Sequence, residues 1–188
     1  MNGTGDETKL GWTGRVSAQF ERDRDDLEVT HYNLGIRRNT SEDILNRWGE
    51  ESTQRLEGDF EKLLVFSFGV NDTVIESGGQ RVSKPHCLEN AHAILTSASS
   101  VCRVLMIGPP PIADLEQNIR IKDLDVSLAQ LCHSISVPYL SVVSELSDDP
   151  IWMREVASND GAHPKSAGYT KLATFISAWD EWECVGRD

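Results

Sequence analysis

Four short runs rich in apolar residues, 29–34, 63–68, 104–108 and 138–142, punctuate the chain, and each is followed by a stretch with helical spacing. That alternation predicts strands of a parallel α/β sheet joined by crossover helices. The second run, Leu-Leu-Val-Phe-Ser-Phe, is nearly continuous in apolar residues, as expected of a strand covered on both faces. Ile121, Leu124, Leu128, Leu131 and Ile135 recur at intervals of three and four, marking the buried stripe of an amphipathic helix. A second helix is expected to start near Thr40. Asn39, Thr40 and Ser41 offer capping groups there, Glu42 and Asp43 suit the positive helix start, and Ile44, Leu45 and Trp48 supply a buried face. Two more are expected over about 85–99 and 166–182, through Leu88, Ala91, Ile94 and Leu95 and through Leu172, Ile176 and Trp179.

In such a sheet, ligands bind outside the carboxyl ends of the strands, so the turns that follow strands are where chemistry is sought. After the first run, Gly35 fits either a plain turn or a turn that aims a bare backbone N–H at a ligand oxygen. After the second comes Gly69-Val70-Asn71-Asp72. The Asn71 amide can donate two N–H bonds and so stabilise an oxyanion without carrying charge, although an Asn/Asp turn that caps the next segment reads the same way. Before the last helix, Asp160 and His163 stand three apart in Asn-Asp-Gly-Ala-His-Pro. A carboxylate there can fix the imidazole tautomer and leave the other ring nitrogen as a general base; the plain alternative is a helix-entry loop with a surface histidine. His31, His86, His92 and His133 lie within expected strands or helices and read as packed or surface residues.

Composition narrows the partners. Lys and Arg total 18 against 30 Asp and Glu, a formal charge of -12 that would repel phosphate backbones and anionic lipid surfaces. Nucleic acid is therefore not an expected partner. No run approaches the roughly 18 apolar residues of a membrane span, and residues 1–6 form neither a basic nor an apolar leader, so a cytoplasmic protein is expected. Cys87, Cys102, Cys132 and Cys184 are widely spaced, without a C-x-x-C pair, and read as reduced thiols. Asp72, Asp160 and His163 lack the spacing of a metal site, and no metal or organic cofactor is implied. At 188 residues the chain fits one domain, residues 1–188.

Taken in order, Gly35, Gly69-Val70-Asn71-Asp72 and Asp160-Gly161-Ala162-His163-Pro164 resemble the second, third and fifth conserved blocks of the SGNH (G-D-S-L) hydrolases. Asn2-Gly3-Thr4-Gly5-Asp6 with Leu10-Gly11-Trp12 resembles the loop that follows this family's first block, Gly-Asp-Ser and two apolar residues. The resemblance implies a three-layer α/β/α sandwich with a parallel sheet of flavodoxin-like topology. It also implies an esterase or lipase acting on a small-molecule ester, such as a short acyl or acetyl ester of a small molecule or sugar. Carried over residue by residue, it makes His163 the general base, Asp160 its orienter, Gly35 and Asn71 the oxyanion donors, and Gly69 and Asp72 supports of their loop.

The same resemblance puts the nucleophilic serine and the first, central strand ahead of Met1. Ser17 and Ser41 fall in helical regions and Ser67 inside a strand, none with the context of a nucleophile elbow. The expectation is an amino-terminally truncated domain whose natural reading frame begins upstream of Met1. The family's first strand would lie between those containing Tyr32 and Val65. Without it, buried backbone groups would go unpaired at about 1–3 kcal/mol each, against a total stability of roughly 5–15 kcal/mol. The chain as it stands is thus expected to be weakly active or inactive. Two rivals stand beside this reading: a non-catalytic small-molecule-binding protein of the same fold, and a flavodoxin-like or metal-dependent phosphoesterase.

Overall fold

The computed structural model describes residues 3–24 and 26–186. Their contacts fall into two compact units. One comprises the described residues up to Arg37, Ile112–Asp114, and the described residues from Glu145; the other comprises Arg38–Pro111 and Leu115–Ser144.

The second unit holds the sheet. Strands β1 (Leu63–Phe66), β4 (Arg103–Ile107) and β5 (Tyr139–Leu140) run parallel in the order β1-β4-β5, with Val65 opposite Leu105 and Ile107 opposite Leu140. Val104 to Ile107 are all buried, so β4 is covered on both faces. Three helices belong to this unit: α2 (Ser41–Thr53), α3 (Lys84–Ser99) and α4 (Leu115–Ser134). Phe66, Phe68, Ile94, Leu95, Met106, Leu124 and Leu128 form the heart of its apolar core. The fold class is the expected one, α/β/α with a small parallel sheet flanked by helices.

Local chemistry explains where the helices begin. Thr40 caps α2 in a reciprocal box: its hydroxyl accepts from Asp43 N, and the Asp43 carboxylate accepts from Thr40 N at 2.8 Å. Ser83 caps α3, with Pro85 in the first turn where its missing N–H costs nothing. The buried residues of α4, Ile121, Leu124, Leu128 and Cys132, continue the stripe read from the spacing, although the helix starts six residues before that stripe.

In the first unit, α1 (Gly11–Asp23) packs on α7 (Ser166–Ser177), which also packs on α6 (Pro150–Ser158). Asp149 caps α6 by accepting from Ile151 N and Trp152 N, both at 2.8 Å. The expected helix over 166–182 is divided. It ends at Ser177, and a short α8 (Asp180–Glu183) follows Trp179, whose extended backbone interrupts the helical path.

Two strand expectations are corrected. Residues 29–34 form no strand: among the described residues they belong to neither sheet, and Tyr32 is 56 % exposed. Among the described residues no strand precedes α1, and β1 has a single hydrogen-bonded neighbour, β4. The strand expected over 63–68 stops at Phe66, so Ser67 lies just beyond it. A two-stranded hairpin that the spacing did not suggest, β2 (Ile75–Glu76) with β3 (Gly79–Gln80), turns through Ser77 and Gly78, both at positive φ. Helix α5 (Val143–Asp148) completes the elements. Among the described residues no helix is long and apolar enough to cross a membrane.

Candidate functional site

Residues 159–163 form a tight turn between α6 and α7, and its hydrogen bonds present two side chains to each other. Asp160 Oδ1 accepts the backbone N–H groups of Ala162 at 3.0 Å and His163 at 2.9 Å. Its Oδ2 lies 2.8 Å from His163 Nδ1. Gly161, at φ +84°, lets the chain double back between them. With Nδ1 protonated and donating to Asp160, Nε2 keeps its lone pair and can take a proton. Burial disfavours the charge on Asp160, but the bonds from Ala162 and His163 outweigh it and hold the carboxyl below its ordinary range. Both groups stay reachable, since the His163 side chain is 20 % exposed and that of Asp160 34 %.

The turn is tied down on both sides. Asn159 Nδ2 donates to the His163 carbonyl at 2.9 Å, and Gly161 O accepts from Ala113 N at 2.9 Å. Lys165, the residue before α7, has no side-chain cap of its own. Glu155 on α6 performs that service, accepting from Lys165 N and Gly168 N at 2.9 and 2.7 Å. Arg37 extends toward Asp160 Oδ2 at 3.5 Å from the exposed segment after Gly35. Gly35 itself donates its N–H to Asn33 Oδ1 at 3.0 Å, while Asn33 Nδ2 donates to Thr13 on α1.

Asn71, Gly69 and Asp72 belong to the second unit, on the turn that follows β1. Gly69 has φ +117°, a backbone conformation that favours glycine, and a side chain there would press on Leu124 Cδ2 at 3.1 Å. Asp72 is 1 % exposed, and its two oxygens each accept from Ser41 N at 3.1 Å, placing a carboxylate on the amino end of α2. The same turn is held from α4, where Gln117 Nε2 donates to Val70 O at 2.8 Å. Asn71 Nδ2 donates to Asn39 O at 2.8 Å, which uses one of the amide's two N–H bonds and leaves the other. The structure thus makes Asp72 a buried anchor and Asn71 the half-exposed donor beside it.

Two of the rival serines are engaged. Ser17 Oγ donates back to Thr13 O within α1, and buried Ser41 Oγ accepts from Asn90. All four cysteines are free thiols: Cys87 and Cys132 are buried, whereas Cys184 is exposed. Burial and the neighbouring Asp72 push the Cys87 thiol up, and burial pushes Cys132 up to about 12, which keeps both protonated. Among the described residues no group of three or more His, Cys, Asp or Glu side chains converges as a metal site would require. Sequence reasoning missed Glu155, Asn159 and Arg37. Glu155 and Arg37 bond partners ten or more residues away, which spacing cannot show, whereas Asn159 bonds the His163 carbonyl only four residues on.

The model of the GDSL-like Lipase/Acylhydrolase family matches residues 1–171. Among solved structures, a lipase/acylhydrolase from Enterococcus faecalis is similar at 25 % identity and a TM-score of 0.71, over 92 % of this chain and 85 % of the other. Axe2, an acetylxylan esterase from Geobacillus stearothermophilus, shares the fold at 14 % identity and a TM-score of 0.71, over 90 % and 82 %. LAE5, an alpha/beta hydrolase enzyme from the metagenome of Lake Arreo in Spain, does so at 14 % identity and 0.70, over 94 % and 85 %. No curated protein gives a significant match.

Proposed function

Because the chain belongs to the GDSL-like lipase/acylhydrolase family, we propose that it is the greater part of a serine esterase that cleaves a short acyl ester, acetate foremost, from a small molecule or sugar. The observation that carries this reading is the 2.8 Å contact between Asp160 Oδ2 and His163 Nδ1. It holds an imidazole with one nitrogen engaged and the other open, the arrangement that acyl transfer through a serine needs.

The attacking hydroxyl is assigned to a Gly-Asp-Ser block ahead of Asn2-Gly3. His163 Nε2 takes the hydroxyl proton as the oxygen adds to the ester carbonyl. It then returns that proton to the departing alcohol, leaving an acyl-enzyme. Water activated by the same nitrogen hydrolyses the acyl-enzyme and restores the serine. Asp160 keeps the ring in the productive tautomer and stabilises the imidazolium. The second N–H of Asn71 and the backbone N–H of Gly35 are assigned to the oxyanion, Gly35 after its bond to Asn33 is released. The shared fold with an acetylxylan esterase supports the acetyl-sugar end of the range, and the half-exposed dyad suits a small substrate. The 188 residues alone are expected to turn over little or no ester.

The test uses the chain lengthened through the coding sequence that precedes the Met1 codon. It should hydrolyse p-nitrophenyl acetate, and His163→Ala should abolish turnover while leaving the circular dichroism spectrum unchanged. Retained turnover in that variant would remove His163 from the mechanism. An upstream sequence without Gly-Asp-Ser, together with no turnover, would favour a non-catalytic small-molecule-binding protein of the same fold.

A further inference from the structure

We propose that Asp6 is a positioning residue for the catalytic base: its buried carboxylate clamps Ser166 and thereby fixes the short link between His163 and helix α7. This rests on the esterase reading and adds to it a residue outside the dyad and the oxyanion donors.

Asp6 is fully buried, and every lone pair it offers is used. Oδ1 accepts from Thr8 N at 3.1 Å and from Ser166 Oγ at 2.6 Å, and Oδ2 accepts from Gly11 N at 2.8 Å. Arg15 forks across both oxygens, and its Nη1 also donates to Gly11 O at 2.8 Å. Most of these partners are local and shape the entry to α1. Ser166 is not local: it lies 160 residues away and three residues after His163.

The contacts around Asp6 reach the histidine turn and the start of α7. Tyr169 donates its hydroxyl to Thr4 O at 2.9 Å, and Arg15 Nε donates to Thr170 Oγ1 at 3.1 Å. Gly5, at φ +81°, brings its backbone so close that a side chain there would lie 2.2 Å from Asn159 Nδ2 and 2.6 Å from Pro164 O. Asn159 is the residue whose amide holds the His163 carbonyl. Residues 4–6 therefore brace the histidine turn on both flanks, through Asn159 before it and through Pro164 and Ser166 after it.

Helix packing alone does not account for this arrangement. The α1–α7 contact also buries Trp12 and Val16 on one helix and Leu172 and Ile176 on the other. A buried carboxylate–guanidinium pair is an inefficient way to add stability compared with apolar packing, because both ions must be desolvated. What the charged clamp adds is direction. Only Pro164 and Lys165 separate the clamp from the base, and Pro164, with its fixed φ, stiffens that link. A shift of about 1 Å in a catalytic group can cost on the order of 10²-fold in rate.

The decisive variants are Ser166→Ala, which removes one hydroxyl and leaves Asp6 with Arg15, and Ser166→Thr, which keeps a hydroxyl. In the lengthened chain, kcat and KM for p-nitrophenyl acetate are measured per active site titrated with a fluorophosphonate, so that partial unfolding does not count as lost catalysis. The expected result for Ser166→Ala is a loss of about tenfold or more in kcat with KM within about twofold, and recovery of most of that loss in Ser166→Thr. A kcat per titrated site within about twofold of the parent in Ser166→Ala overturns the proposal, as does a loss that Ser166→Thr fails to recover. If the parent chain turns over no ester, the esterase reading has failed by itself. Positioning is then decided by the low-field proton resonance of His163 Nδ1–H. Broadening or loss in Ser166→Ala supports the clamp, and an unchanged resonance refutes it.

Discussion

Asp160 grips His163 twice, by the ring at 2.8 Å through Oδ2 and by the backbone N–H at 2.9 Å through Oδ1. One carboxylate thus sets both where the imidazole stands and which of its nitrogens carries the proton. The two functions separate under mutation.

Asp160→Asn preserves an oxygen for the backbone N–H groups but gives Nδ1 a poorer partner and allows the wrong tautomer. In the lengthened chain, kcat for p-nitrophenyl acetate should fall by about 10³–10⁴-fold, with helix content unchanged. A fall smaller than about tenfold would show that His163 does not depend on Asp160 for its tautomer.

Asn71→Ala deletes an assigned oxyanion donor and a single bond to Asn39 O. The expected loss is about 10²–10³-fold in kcat, for a stability change near 1 kcal/mol. Steady-state kinetics paired with urea unfolding separates the two, and a variant with nearly full kcat would take Asn71 out of the oxyanion hole.

Asp72→Ala should act the opposite way, on the fold first. It leaves the buried Ser41 N–H without its acceptor and withdraws a negative charge from the start of α2. A destabilisation of about 1–3 kcal/mol is expected, read as a lower urea midpoint at unchanged m-value.

Acid should find Asp6. Burial opposes its ionisation, yet Arg15, Ser166, Gly11 and Thr8 together hold its carboxyl well below the ordinary 3.8. A depressed folded value means that the unfolded chain binds the proton first. The stabilisation is therefore complete above about pH 4, and is lost as the pH falls from there through the folded value. Asp43, Asp149 and Asp160 are shifted in the same direction and add to the effect. Asp6→Asn should cost about 3–5 kcal/mol near neutrality, because it leaves largely buried Arg15 without its counter-charge. It should also flatten the decline of urea stability between pH 5 and 2.5 relative to the parent. Parallel pH curves for the two proteins would contradict this account.

The arrangement was legible wherever the information is local. Ile121, Leu124 and Leu128 recur at the helical interval because one face of α4 is buried, and all three are buried in the structure. Thr40 and Asp43 satisfy each other's backbone across three residues, so the start of α2 can be read without knowing the fold. Asp160 and His163 stand in one turn, and their pairing needed no tertiary information. By contrast, residues 29–34 carry a strand-like composition and join no sheet among the described residues, since strand character belongs to a ladder and not to a segment. The divided end of the 166–182 helix escaped notice for a related reason: the apolar spacing runs on through Trp179 although the backbone does not.

The order of residues by itself determined the α/β class, the start of α2, the acidic character and the Asp160–His163 pair, because periodicity, capping and short-range hydrogen bonding act over a few residues. Only the tertiary structure decided that Asp72 is an anchor while Asn71 keeps a free N–H, that Glu155 caps α7, and that Asp6 reaches Ser166 across 160 residues. Those bonds join groups far apart in the chain, and closing such loops depends on the whole packed fold, which no local pattern encodes.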